Sequence, residues 1–126
     1  MVCLDSDILI DFLNNKKEAV QKVAELKKEN SPLAITSINS FELLNIASKE
    51  KLESIHNFLL NFDIYNFDFE SSDSAANIFQ ELKSRGNLLD LADIMIAAIV
   101  ISNDETLVTR NIKHFERITN LKLEEW

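Results

Sequence analysis

The apolar positions of this chain recur in two periods, and the switch between them marks out its elements. Val2 to Leu4 is a short apolar run that stops at Asp5, after which Ile8, Leu9, Phe12 and Leu13 return at helical spacing. A buried strand is therefore predicted to turn directly into a helix, with Asp5 and Asp7 at the turn. A second helix follows, with Val20, Val23, Ala24 and Leu26 to one side, Lys16, Lys17, Lys22, Lys27 and Lys28 to the other, and Asn30-Ser31-Pro32 as its stop. Leu33 to Thr36 reads as a strand, and Ser37 or Asn39 as the cap of a helix carrying Ile38, Phe41, Leu44 and Ile46. Lys49 to Asn61 reads as a further helix and Ile64 to Phe67 as a third strand.

The next helix is expected after Ser71 or Ser72, running through Ala75, Ala76, Ile78, Phe79 and Leu82 to Gly86, where a left-handed residue would close it. LLDLADIMIAAIVIS is apolar almost all round, as a helix packed in the middle of a fold must be. Thr106 to Thr109 gives a fourth strand, the segment around His114 a helical turn, and Leu121 to Leu123 a last strand. Strands alternating with helices imply a parallel sheet covered on both faces, an α/β fold in a single domain over residues 1–126.

Composition narrows the class. With 126 residues, 46% of them hydrophobic, one Gly and one Pro, the chain has enough apolar content for a core and too little turn content for linkers. Cys3 is the only cysteine, which excludes an internal disulfide and a cysteine-built zinc site and fits a reducing, cytoplasmic setting. The start lacks the basic flank of a signal peptide, and the Ile94 to Ile101 run falls short of the ~20 residues of a membrane span, so no membrane role is expected. The formal charge of −8 argues against broad attraction to nucleic acid, which depends on Lys and Arg displacing counterions. Any such contact must be local or metal-mediated.

Four polar positions stand where an apolar residue would pack more easily. Asp5 ends the first strand, and either it or Asp7 is suited to cap the following helix. Glu42 shares a helix face with Ile38 and Ile46, with no Lys or Arg within a turn; it is either an edge residue reaching water or a carboxylate in want of a cation. Asp90 and Asp93 open the most apolar helix, Asp90 as its cap and Asp93 on the side of Leu89, Ile96, Ala97 and Val100. Asn111 follows a strand expected to neighbour the first; alone it would be a turn residue. Arg110, Lys113, His114 and Arg117 beside it are either solvated surface or a local anion contact, and His114 without a second histidine is a poor metal ligand.

LDSDILIDFL, ITSINSFELLN, GNLLDLADIMIAA and TLVTRNIKHF, in this order and at this spacing, give the whole chain a likeness to one family. It resembles the PIN-domain nucleases, and within them the VapC-like toxins of prokaryotic toxin–antitoxin pairs. The resemblance implies a three-layer α/β/α sandwich around a mainly parallel sheet of four to five strands, and a metal-dependent endoribonuclease. It assigns the acidic metal-binding quartet to Asp5, Glu42, Asp93 and, in the more variable fourth place, Asn111. Asp7 stands where the family often has Asn, and Asn111 where it has Asp, so one change adds negative charge near the site and the other removes it. The resemblance also implies a small antitoxin that inserts a basic residue into the acid pocket, and a homodimer.

The residue chemistry agrees. Carboxylate oxygens suit Mg²⁺ or Mn²⁺, one ion or two, which bind through few protein ligands and keep waters and substrate oxygens. Ser6 and Thr109 are placed to position a water or phosphate, Asp7 and Asp90 to cap or support, and Arg110, Lys113 and His114 to hold flanking RNA. Two rivals remain: a phosphatase of the haloacid-dehalogenase type with Asp5 as nucleophile, which lacks its lysine motif here, and a non-catalytic interaction module.

Overall fold

The computed structural model describes residues 1–126. In chain order the elements are β1 (Val2–Leu4), α1 (Ser6–Leu13), α2 (Lys17–Glu29), β2 (Ala34–Thr36), α3 (Ser37–Ile46), α4 (Leu52–Leu59), β3 (Asp63–Tyr65), α5 (Phe69–Ser84), α6 (Leu91–Ser102), β4 (Thr106–Thr109), α7 (Ile112–Phe115) and β5 (Lys122–Glu125). The five strands form one sheet in the order β3-β2-β1-β4-β5, and every pairing is parallel. The α/β reading of the sequence holds, with the sheet parallel throughout.

Strand alternation divides the core into two layers. Val2 and Leu4 of β1, Ile35 of β2 and Val108 of β4 face one way, where Ile8, Leu9, Ala19, Val23, Leu26, Leu43 and Leu59 from α1 to α4 cover them. Cys3, Ala34 and Leu107 face the other way, against Ala75, Leu82, Ile94, Ala97, Ala98, Val100 and Phe115 from α5, α6 and α7. Six residues of α6 are buried, which explains a helix with no polar stripe: it lies between α5 and the sheet. Its small Ala97 and Ala98 allow close approach, while each buried Ile contributes roughly 1.5–3 kcal/mol. No helix is long and apolar enough to cross a membrane.

Several local expectations shift. The inward stripe of α2 runs through Ala19, Val23 and Leu26, with Val20 and Ala24 exposed beside it, because spacing of four and three keeps one narrow face on α1. On α3 the inward residues are Asn39 and Leu43, and Phe41 and Ile46 are 63% and 66% exposed. The cap of α3 is Thr36, one residue earlier than expected, with Asn39 completing a reciprocal capping box. Helix α5 starts at Phe69, capped by the side chain of Asp68, rather than after Ser71. Phe58 and Phe62 pack against the first core layer, Phe58 also stacking on Phe12 with ring centroids 5.8 Å apart.

Gly86 closes α5 at φ +62°, its N–H donating to the Lys83 carbonyl while the Asn87 N–H donates to that of Leu82. These two bonds satisfy carbonyls the helix end would orphan, and a glycine takes that angle without the strain a Cβ brings.

Candidate active site

In an open parallel sheet the place for a ligand is the crevice beyond the carboxyl ends of the strands where their order reverses. Here that place lies between β1 and β4, since the chain moves from β1 to β2 and β3 on one side and later to β4 and β5 on the other. Asp5 leaves β1 at this point and Thr109, Arg110 and Asn111 leave β4.

Asp5 is 6% exposed, its N–H donating to the Val108 carbonyl at 3.0 Å and so pinning it to the end of the sheet. It is also the N-cap of α1: Oδ1 accepts from the Ser6 N–H at 2.8 Å. Oδ2 accepts from the Thr109 hydroxyl at 2.8 Å. Burial, with Asp7 adding repulsion, pushes the Asp5 carboxyl up to about 7, against the pull of the Thr109 and Ser6 hydrogen bonds; Asp93 adds further repulsion. Asp5 thus both ends the strand and caps the helix. Asp7 is a support instead, Oδ1 accepting from the Ile8 N–H at 2.7 Å and Oδ2 from the Arg110 N–H at 3.0 Å.

Glu42 enters from α3. Its Oε1 accepts from the Ser6 hydroxyl at 2.6 Å, and Ser6 Oγ accepts in turn from Asn39 Nδ2 at 2.9 Å. Asn39 is fully buried and its Oδ1 accepts from both the N–H and the hydroxyl of Thr36, at 3.0 and 2.7 Å. A relay from the end of β2 through Asn39 and Ser6 therefore aims Glu42. Asn39 was considered in the sequence only as a cap; its spacing of three from Glu42, on the same helix face, is the signal that finds it.

Asp93, half-buried in the first turn of α6, is raised above the ordinary carboxylate range by burial first, then by Asp90 and Glu42. His114 opposes this from 3.9 Å. Asp90 occupies the N-cap position of α6 as expected, yet its side chain makes no capping hydrogen bond. Asn111 sits at the N-cap position of α7, exposed, its N–H donating to Thr109 Oγ1 at 3.1 Å. Lys113 is exposed on α7. Arg110, expected near RNA, has its guanidinium 2.8 Å from Asp11 and 4.0 Å from the centroid of the Trp126 ring.

Asp5 and Asp7 from the β1–α1 turn, Glu42 from α3 and Asp93 from α6 thus come into mutual electrostatic range, with no lysine or arginine ion pair to any of these four. They do not form a closed ligand shell, for no group of three His, Cys, Asp or Glu side chains is close enough to hold an ion in this arrangement. Like charges keep apart, and Glu42 and Asp5 are turned to their hydroxyl partners. The donor set fits a hard divalent cation: carboxylate oxygens of uncompensated charge, fit for an ion that keeps much of its water.

The PIN-domain family profile matches residues 2–121. A ribonuclease VapC2 of Rickettsia felis is 33% identical over 98% of this chain and 96% of its own length. Among solved structures, that of VapBC2 from Rickettsia felis bound to a DNA fragment from their promoter superposes with a TM-score of 0.84 at 30% identity, over 100% of this chain and 99% of the other. A toxin–antitoxin complex from Klebsiella pneumoniae gives 0.78 at 29% identity, over 96% and 95%. The chain belongs to the PIN-domain family, and within it to the VapC ribonucleases.

Proposed function

We propose that this protein is a Mg²⁺- or Mn²⁺-dependent endoribonuclease, with Asp5, Glu42 and Asp93 as metal ligands and Asn111 as the fourth. The observation that carries the reading is the gathering of three acids from the end of β1, α3 and α6 at the switch point of the sheet, beside the turn after β4, with no lysine or arginine ion pair to neutralise them. The name of the Rickettsia felis relative supports the substrate class.

A divalent cation held by Asp5, Glu42 and Asp93 would supply Lewis-acid chemistry, activating a water and offsetting charge at the phosphorus. The chain's own residues do the rest. Thr109 Oγ1 donates to Asp5 Oδ2, and the Ser6 N–H and Asn39 Nδ2 both donate to Oδ1, so the lone pair left for an ion is on Oδ2. Asn39, through Ser6, keeps Glu42 from swinging into solvent. His114, across from Asp93, and Lys113 are suited to the flanking phosphates, the Lys113 charge acting locally in a protein of formal charge −8. A phospho-aspartate route gains nothing from this geometry, because no lysine pairs with Asp5 or with the acids around it.

The test is cleavage of a labelled single-stranded RNA by purified protein free of any partner. Cleavage with Mg²⁺, its loss in EDTA and its return with Mn²⁺ are expected; undiminished cutting in EDTA would sink the metal reading. We further propose that the protein pairs with itself and with a small antitoxin whose basic side chain enters the acid site; the toxin–antitoxin complex among its structural neighbours supports the antitoxin partner. Analytical ultracentrifugation of the chain alone and with its partner measures both; a monomer in each case would refute the first.

A further inference from the structure

Arg110 follows β4 directly, between Thr109, which orients Asp5, and Asn111, the proposed fourth ligand. A cation there is naturally read as a phosphate contact. Its surroundings give it a different task. Two carboxylates one turn apart on α1 grip it at separate points: Asp7 takes the backbone N–H at 3.0 Å and Asp11 the guanidinium at 2.8 Å. Their spacing of four puts both on one face of the helix, opposite the turn after β4.

The third contact comes from the other side. Thr109 pairs with Glu125 in the parallel β4–β5 ladder, so Arg110 and Trp126 are the next residues along in register. The guanidinium carbon lies 4.0 Å from the indole centroid, a cation–π distance. The indole packs against the same core layer as Val2, Leu4, Ile8 and Val108, and its buried Nε1 has no hydrogen-bond partner. An unmet buried donor is costly, so Trp126 is held there by ring packing and not by its polar handle. A guanidinium that left for RNA would lose both the ion pair and the stack.

Resting on the metal-nuclease reading, we propose that Arg110 is a positioning residue: Asp11 and Trp126 clamp it from two sides, and the clamp holds the Thr109–Asn111 turn against the acid site. The clamp acts on the metal through Thr109 and Asn111, and RNA does not touch it.

The experiment compares the parent with Asp11→Asn, Trp126→Leu and Trp126→Phe. Mn²⁺ affinity is read without RNA, from the electron paramagnetic resonance signal of free Mn²⁺; kcat and KM are read on a short RNA at several salt concentrations. Circular dichroism checks that each variant is folded. Asp11→Asn and Trp126→Leu are expected to lose about tenfold in Mn²⁺ affinity and in kcat, the usual cost of losing a supporting contact, with KM and its salt dependence unchanged. Trp126→Phe, which keeps a ring under the guanidinium, stays close to the parent.

The phosphate-contact alternative predicts the opposite for Asp11→Asn: a released Arg110, a lower KM, and a steeper salt slope by about one. That result overturns the proposal, as do variants that match the parent in Mn²⁺ affinity and kcat. A parent that neither binds Mn²⁺ nor cuts RNA overturns the metal-nuclease reading itself, and the clamp with it.

Discussion

Asp5 and Glu105 are both buried carboxylates, at 6% and 7% exposure, and they lie at opposite ends of the same parallel sheet, one just after β1 and the other just before β4. Asp5 has donors on both oxygens and acids around it. Glu105 has a single partner, the Tyr65 hydroxyl at 3.1 Å, while its Oε2 has none. It also acts on the buried Cys3, whose thiol is pushed up to about 12 by burial and then by Glu105. Burial alone therefore does not mark a site. What distinguishes Asp5 is a frame of hydroxyl and N–H donors that hold the charged form, together with further acids that make a cation welcome.

The sharpest way to test the contrast is to neutralise each acid. Asp5→Asn and Asp93→Asn are expected to lower the RNA cleavage rate at least about 100-fold, and Glu105→Gln to leave it within about twofold. Equal losses at both ends would erase the distinction. Thr109→Val keeps the shape but removes the hydroxyl that donates to Asp5 and accepts from Asn111. A loss of about 10- to 100-fold in Mn²⁺ affinity or in rate is expected, as for other groups that orient a metal ligand.

The next effect is one of stability against pH. Asp5 has a folded pKa near 7, above its value in the unfolded chain, so the fold binds this proton more tightly than the unfolded state does. Its contribution is fully present below about pH 4 and is lost as pH rises through about 7, a swing of up to about 4 kcal/mol. On the proposed metal reading, a cation would take over the proton's place at high pH. Thermal melts are expected to show Mg²⁺ or Mn²⁺ raising Tm more at pH 8 than at pH 5, and Asp5→Asn to flatten both the slope and the metal response. Glu105→Gln should leave the metal response as it is; a metal response that vanished in that variant would locate the ion at the wrong end of the sheet.

These distinctions were partly legible in the chain. Asp5, Glu42, Asp93 and Asn111 stood out because each interrupts or ends an apolar pattern, and that pattern is local. The strands, the central helix α6 and the Gly86 stop were read from the same local signals. Asn39 was not, because a polar residue just inside a helix reads as a cap, and only the approach of Ser6 from α1 reveals that its amide faces the acids. Phe41 and Ile46 misled in the other direction: their spacing is helical, yet the face that turns inward is chosen by Asn39 and Leu43. Arg110 could not be resolved from sequence at all. Its partners, Asp11 and Trp126, are brought to it by the sheet, and no periodicity encodes a contact between β4, α1 and the end of β5.

The smallest expected effect lies at the far end. Tyr65→Phe takes away the only hydrogen bond that Glu105 accepts and leaves a buried carboxylate without a partner. The desolvation of that group is then unmet, which costs about 1–3 kcal/mol of stability. Because Tyr65 touches none of the acids at the switch point, cleavage and Mn²⁺ affinity should stay at the parent's level at a temperature where the variant is folded. Urea melts and a Mn²⁺ titration on the same sample separate the two. A variant that melted like the parent but bound Mn²⁺ more weakly would mean that the two ends of the sheet are coupled, and that Glu105 belongs to the site after all.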